Sequence, residues 1–332
     1  MTDGTTEQFE RIRSLWRALE KQMATRVVAH EETIVCMCAA LVTGGHVLLE
    51  GVPGLGKTML ARTLADSVAL KFSRVQFTPD LMPADILGSH LISTEAEGRA
   101  TLVFQKGPIF CQVLLADEIN RASPKTQSAL LEAMQERQVS VGGTTFLLEP
   151  PFFVVATQNP LESEGTYALP DAQLDRFLMK LLVKFPSEEE VMAIVTRTTG
   201  RFEQPVDKVA TGEELLAAGR ALRQIPVAEP VLRHAVQLVL GTHPESPLAT
   251  ALVKKYVRCG ASPRAAQALT LVGKFFAVLD HRLHVSVEDV HRAALPCLRH
   301  RILRGFDAVA DGVTADALVT DLLKRLPPPG RR

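Results

Sequence analysis

The sequence predicts an α/β protein in two parts: a parallel sheet covered by helices on both faces, then an all-helical domain. Three observations predict it. From His46 onward, short β-prone runs alternate with helical segments, the pattern of βαβ units whose strands lie parallel. A glycine-rich loop, Gly51-Val52-Pro53-Gly54-Leu55-Gly56-Lys57-Thr58, stands between the first such run and the first helix after it. Beyond Pro186-Ser187-Glu188 the β signals fade, and helical patterns punctuated by glycine and proline follow.

Taken in order, residues from about Glu7 to Leu41 carry helical apolar spacing: Phe9, Ile12, Leu15, Trp16 and Leu19, then Val27, Val28, Ile34, Val35 and Leu41. Strands are expected at His46–Glu50, Arg74–Phe77, Val113–Ala116, Phe152–Thr157 and Lys180–Phe185, with helices such as Lys57–Ala69 and Lys125–Arg137 between them. Two hairpin-like stretches interrupt the series. Ile86–Phe104 turns around Glu95–Arg99, and Val139–Leu148 turns at Gly142-Gly143. The domain boundary is expected near Phe185–Ser187. That gives a nucleotide-binding domain over residues 1–186, a helical lid over 187–326 and a disordered tail at 327–332.

Composition is that of a soluble globular chain. Its 332 residues are 46% hydrophobic and 22% charged, with 37 basic and 37 acidic side chains. The length suggests two domains. The zero net charge gives no sign of a nucleic-acid or membrane-surface partner. No apolar run approaches the ~20 residues of a membrane span, and no signal segment opens the chain. The five cysteines form no framework; Cys36 and Cys38 read as small core residues in a reduced, cytoplasmic protein.

The glycine-rich loop is a complete G-x-x-x-x-G-K-[ST] P-loop in its required strand–loop–helix setting. Its backbone N–H groups would cradle phosphate at a helix N-terminus. Lys57 would pair with the β- and γ-phosphates, and Thr58 would ligate Mg²⁺. Val113-Leu114-Leu115-Ala116-Asp117-Glu118 is an apolar strand ending in two carboxylates, about 60 residues on in the βαβ series. Asp117 would hold Mg²⁺ and Glu118 would polarise the attacking water.

The sequence resembles the MoxR family of AAA+ ATPases. The resemblance is carried by Gly44–Glu50, by Phe77-Thr78-Pro79-Asp80-Leu81, by Phe104–Phe110 and by Leu114–Val141. Ala156-Thr157-Gln158-Asn159-Pro160 and Leu174-Asp175-Arg176-Phe177 continue it. It is dense from Val28 to Pro186 and looser elsewhere. It implies an AAA+ core with a helix-2 insert and a pre-sensor-1 hairpin, plus a lid. It also implies that ATP or ADP is surrounded by Val28, Gly51, Pro53, Gly54, Leu55, Gly56, Lys57, Thr58, Met59, Asp117, Asn159 and Arg264. Asn159 looks like sensor 1, the alternative being a turn asparagine before proline. Arg176 looks like the arginine finger, worth roughly 10³–10⁵ in rate; the alternative is a surface pair with Asp175 or Asp171. Arg264 looks like sensor 2. As a cation in the first turn of a helix capped by Ser262 and Pro263, it needs an anion: the γ-phosphate, or a local carboxylate. One departure stands out. The family commonly has Val-Gly-Gln beside the adenine, where this chain has Val28-Ala29-His30.

The resemblance also implies a chaperone-like remodeler or maturation factor, working as a hexameric ring on a protein client beside a von Willebrand factor A-domain partner. Two other readings stay open: a nucleotide-gated binding switch, and a DNA-linked motor. The neutral charge, with Arg99 the one cation near the hairpin tips, weighs against the motor.

Overall fold

The computed structural model describes residues 3–94, 100–160, 166–200 and 205–327. Two helices lead in. α1 (Asp3–Arg26) buries Phe9, Ile12, Trp16, Leu19 and Met23 along one stripe. α2 (Glu31–Thr43) is buried at every position from Thr33 to Thr43, as expected of a helix apolar on all sides. It stops at Gly44, whose φ of 77° forms a left-handed cap. Cys36 and Cys38 lie within it, and burial pushes both thiols up.

The core then alternates. β1 (Val47–Glu50) leads to α3 (Lys57–Ser67) and β2 (Phe72–Gln76). α4 (Pro83–Leu87) opens a hairpin of β3 (Gly88–Thr94) and β4 (Ala100–Lys106). β5 (Val113–Asp117), α5 (Pro124–Glu136) and a second hairpin, β6 (Gln138–Val141) with β7 (Thr144–Leu147), come next. β8 (Phe153–Gln158), α6 (Asp171–Leu174) and β9 (Met179–Leu182) complete it. The five strands expected from sequence form one parallel sheet in the order β2-β5-β8-β1-β9. The last is shorter than the apolar run suggested. Its partner β1 ends at Glu50, and the chain at Gly51 turns across it so closely that a Cβ there would meet the Val183 carbonyl oxygen at 2.7 Å.

Strand residues alternate between two cores, as the pleat requires. Val47, Leu49, Val113, Leu115, Phe153 and Val155 face one side, with α1, α2, α3 and the C-terminal helices. Leu48, Leu114, Ala116, Val154 and Ala156 face the other, under α5. The C-terminal part comprises α7 (Glu188–Thr198), α8 (Gly212–Arg223), α9 (Glu229–Gly241), α10 (Ala251–Tyr256), β10 (Val257–Cys259), α11 (Pro263–Leu279), α12 (Val287–Leu298), β11 (Leu303–Arg304), α13 (Phe306–Ala310) and α14 (Ala315–Arg325). It is helical as expected, with one addition: β10 and β11 pair antiparallel. α2 packs on α8 so tightly that a Cβ on Gly219 would meet the Val42 carbonyl oxygen at 2.3 Å. The lid therefore shares its core with the N-terminal helices.

Both hairpins form where expected. Gly142 and Gly143 have φ of 59° and 80°, the left-handed pair a tight hairpin turn needs. The expected turn at 95–99 and the tail at 328–332 lie outside the described residues. The hairpins also pack on each other, since Phe104 of β4 stacks on Phe146 of β7 at 4.1 Å between ring centroids. Phe110 meets both rings edge-on, and His90 of β3 leans on Phe104. Among the described residues, no helix is long and apolar enough to cross a membrane.

Candidate functional site

The loop between β1 and α3 is shaped by its glycines. Gly54 and Gly56 have φ of 84° and 76°, with open space where a Cβ would stand. Conformation, not crowding, demands glycine at these two positions. The loop is tied to the sheet by the Gly51 N–H, which donates to the Gln158 carbonyl at 3.2 Å. Lys57 is buried and donates to the carbonyls of Gly51 and Val52. Pro53, Gly54 and Gly56 are exposed, while Leu55 is buried.

β5 delivers the carboxylates to the same sheet edge. Asp117 Oδ1 accepts from the Thr157 hydroxyl at 2.6 Å, and that hydroxyl accepts the Glu118 N–H at 2.8 Å. Thr58 Oγ1 lies 3.5 Å from Asp117 Oδ2. A hydroxyl and a carboxylate side by side are hard oxygen donors of the kind Mg²⁺ takes, so these residues fit the ion. Glu118 has φ of 57°, a strained setting for a residue with a Cβ and one that favours functional sites. Its Oε2 accepts from Gln76 Nε2 at 2.7 Å and from Arg121 Nη1 at 3.0 Å. Asn159 is buried just past the end of β8. Lys57, Thr58, Asp117, Glu118 and Asn159 thus gather at the C-terminal ends of β1, β5 and β8, where open α/β sheets bind ligands.

A cavity of about 860 Å³ opens beside Thr58 and Met59, walled by Lys21 and Arg26 of α1, Arg62 of α3 and Arg197 of α7. Val28 lies half-buried between α1 and α2. The next two residues, Ala29 and His30, both take left-handed conformations, with φ of 70° and 67°. The backbone keeps a glycine-like shape without the glycine. The His30 ring hydrogen-bonds the Leu55 backbone in the P-loop; burial lowers its pKa, against the opposing pull of Glu190 and that bond.

Arg176 and Arg264 lie together in a different cleft, of about 380 Å³, with Arg137, Arg223 and Arg301. Asp175 organises it. Its carboxylate accepts from Ser262 Oγ at 2.8 and 2.9 Å and from Arg301 Nε at 2.8 Å, and faces Arg264 at 3.7 Å. Asp175 is therefore committed to the lid, and Arg264 has the local carboxylate as its neighbour.

Sequence reasoning missed Arg74, Gln76, Arg121 and Thr157 around the carboxylates, and Asp175 as the lid's anchor. One signal existed. Arg74 and Gln76 are polar residues two apart, flanking buried Val75 on a strand beside β5, and so share one face.

The comparisons agree with this geometry. The ATPase family associated with various cellular activities (AAA) matches residues 46–179, and the AAA lid domain matches 249–322. "Chaperone MoxR1" of Mycobacterium tuberculosis is 41% identical over 298 residues, covering 90% of this chain and 78% of that protein. "Uncharacterized protein YeaC" of Bacillus subtilis is 39% identical over 309 residues, 92% of each. "Protein MoxR" of Methylorubrum extorquens is 29% identical over 299 residues, 85% of this chain and 86% of that one. A solved structure of a candidate ATPase from Cytophaga hutchinsonii superposes with a TM-score of 0.89 at 36% identity, covering 97% of both chains. A P-loop and a carboxylate pair at the ends of two strands of one parallel sheet, a helical lid and relatives spanning almost the whole length place this chain in the MoxR family of AAA+ ATPases.

Proposed function

We propose that this chain hydrolyses ATP with Mg²⁺ as one subunit of a homo-oligomeric, hexameric ring. The ring would use that cycle for chaperone-like remodelling or maturation of a protein client in the cytoplasm, beside a von Willebrand factor A-domain partner. The observation that carries the reading is the division of the chemistry. Phosphate- and metal-binding groups gather at the strand ends, while Arg176 and Arg264 line a separate cleft with Asp175. A site so divided is completed by a second copy of the chain. The name of the M. tuberculosis relative supports the chaperone role.

The loop amides and Lys57 would bind the β- and γ-phosphates, with Thr58 and Asp117 holding Mg²⁺. The ion would supply charge neutralisation on the phosphate oxygens. Glu118 would take the proton of the attacking water and Asn159 would orient it. The cavity beside Thr58 and Met59 has room for adenosine, and Val28, in the link between α1 and α2, would approach the base. Arg176 would meet the nucleotide of the neighbouring subunit. Arg264, expected beside this chain's own γ-phosphate but lining the cleft of Arg176 instead, would meet it there too. The lid (187–326) would move against the nucleotide domain (1–186).

The test is ATP hydrolysis against protein concentration for wild type, Glu118→Gln and Arg176→Ala. Specific activity should rise with concentration, each variant should lose it, and an equal mixture of the two should recover a fraction. Concentration-independent activity with a silent Arg176→Ala overturns the shared site. A second reading, a nucleotide-gated switch with little turnover, is favoured by one observation: Gln76 and Arg121 already hold the Glu118 carboxylate. It predicts tight nucleotide binding with negligible hydrolysis at every concentration.

A further inference from the structure

The metal-side carboxylate carries a competing cation. Arg74 of β2 reaches Asp117 Oδ2 with two groups, Nε at 3.2 Å and Nη2 at 2.8 Å. That Oδ2 is the oxygen nearest the Thr58 hydroxyl. The other oxygen, Oδ1, is engaged by Thr157 at 2.6 Å. Arg74 and a divalent cation therefore converge on the same lone pairs, and Mg²⁺ demands short, near-octahedral contacts that leave little room for a guanidinium. Asp117 is nearly buried, with 11% of its side chain exposed, whereas Arg74 is 49% exposed. The arginine can swing out to water, and the aspartate cannot. Arg74 Nη2 also donates to Gln76 Oε1 at 2.9 Å, and Gln76 holds Glu118. Withdrawing Arg74 thus removes one restraint on the residue that fixes the second carboxylate.

Resting on the proposed Mg²⁺–nucleotide reading of this site, we propose that Arg74 is a positioning residue that competes with the divalent cation for Asp117. It sets the metal concentration at which nucleotide is held. A half-exposed ion pair contributes about 1 kcal/mol or less, which corresponds to a change of about fivefold in an equilibrium constant.

The experiment titrates Mg²⁺ into the full-length protein mixed with a fluorescent ADP analogue and reads binding, not turnover. In Arg74→Ala the half-saturating Mg²⁺ concentration should fall by about fivefold, and Arg74→Lys, which keeps the cation, should stay within about twofold of wild type. Arg74→Gln keeps hydrogen bonding without the charge. It should follow Arg74→Ala, and it stands in should the alanine variant fail to fold. A merely structural role would weaken binding with and without Mg²⁺ alike and leave the metal midpoint where it was. An unchanged or raised midpoint in both neutral variants overturns the inference alone. Failure of wild type to bind the analogue at any Mg²⁺ concentration overturns the functional reading, and the inference with it.

Discussion

Replacing Asp175 tests how the lid is held. The Arg301 side chain is 3% exposed, and its charge is balanced at 2.8 Å by the Asp175 carboxylate. Its remaining N–H groups go to the carbonyls of Leu178, Cys297, Phe177 and Asp175 itself. Every donor is satisfied, but the carboxylate alone brings negative charge. Removing one partner of a buried pair costs about 3–5 kcal/mol, so Asp175→Ala should lose that much. Asp175→Asn keeps an acceptor for Arg301 Nε and for Ser262, and the carbonyl dipoles still solvate the guanidinium. Its loss should be smaller, about 2–3 kcal/mol. Ser262→Ala, which removes the α11 cap and one bond to Asp175, should cost about 1 kcal/mol. The assay is urea unfolding followed by far-ultraviolet circular dichroism, with the midpoint shift converted through the measured slope. If Asp175→Asn lies within about 0.5 kcal/mol of wild type, the range of ordinary surface changes, the ion pair does not anchor the lid.

Two further predictions concern single residues. Ala29 at φ 70° carries about 1–2 kcal/mol of left-handed strain, against about 0.4–1 kcal/mol of extra unfolded-state freedom for glycine. Ala29→Gly should therefore stabilise the protein by about 0.5–1 kcal/mol in a thermal melt, and a lowered midpoint refutes the strain. His46 is buried between strand and helix, hydrogen-bonded to the Met134 carbonyl and accepting the Val154 N–H at 3.0 Å; burial holds its pKa down to about 4 from 6.5. The unfolded state takes the proton first on acidification, so this contribution is complete above pH 6.5 and lost as pH falls toward 4. The loss amounts to about 3 kcal/mol. Urea midpoints measured across that window should slope less steeply in His46→Gln than in wild type, and equal slopes refute the assignment.

What could be read from the sequence was what local chemistry writes. Five strands were legible because their apolar runs sit between helical periods. The P-loop was legible because its glycines, lysine and threonine are contiguous, and Asp117-Glu118 because an apolar strand runs straight into them. The misses are long-range. Arg301 meets Asp175 across 126 positions, and Arg74 meets Asp117 across 43, distances at which no periodicity operates. The stacking of Phe104 on Phe146 depends likewise on how two hairpins lean, and the β10–β11 pair is too short to have a period. At Ala29 the family's glycine is absent, yet the chain takes a left-handed turn there, with φ of 70°, between the end of α1 and the start of α2, where His30 reaches the P-loop at Leu55.

The placement of Asp175 bears on how the two arginines move. Arg176 is its immediate neighbour, just after the end of α6, and Arg264 stands two residues beyond Ser262 in the first turn of α11. Ser262 both caps α11, accepting the Arg264 N–H at 3.2 Å, and donates to Asp175. The base of Arg264 and the base of Arg176 are thus pinned to one carboxylate, itself clamped by a buried arginine of the lid. A rotation of the lid that carried α11 away would have to break the Ser262 and Arg301 bonds together. A rotation that kept them would carry α11 and the Asp175 segment as one body. The second needs no buried charge to be exposed, and the cost of the first is the 3–5 kcal/mol of a broken buried pair. The arginine cleft should therefore travel with the lid as a unit.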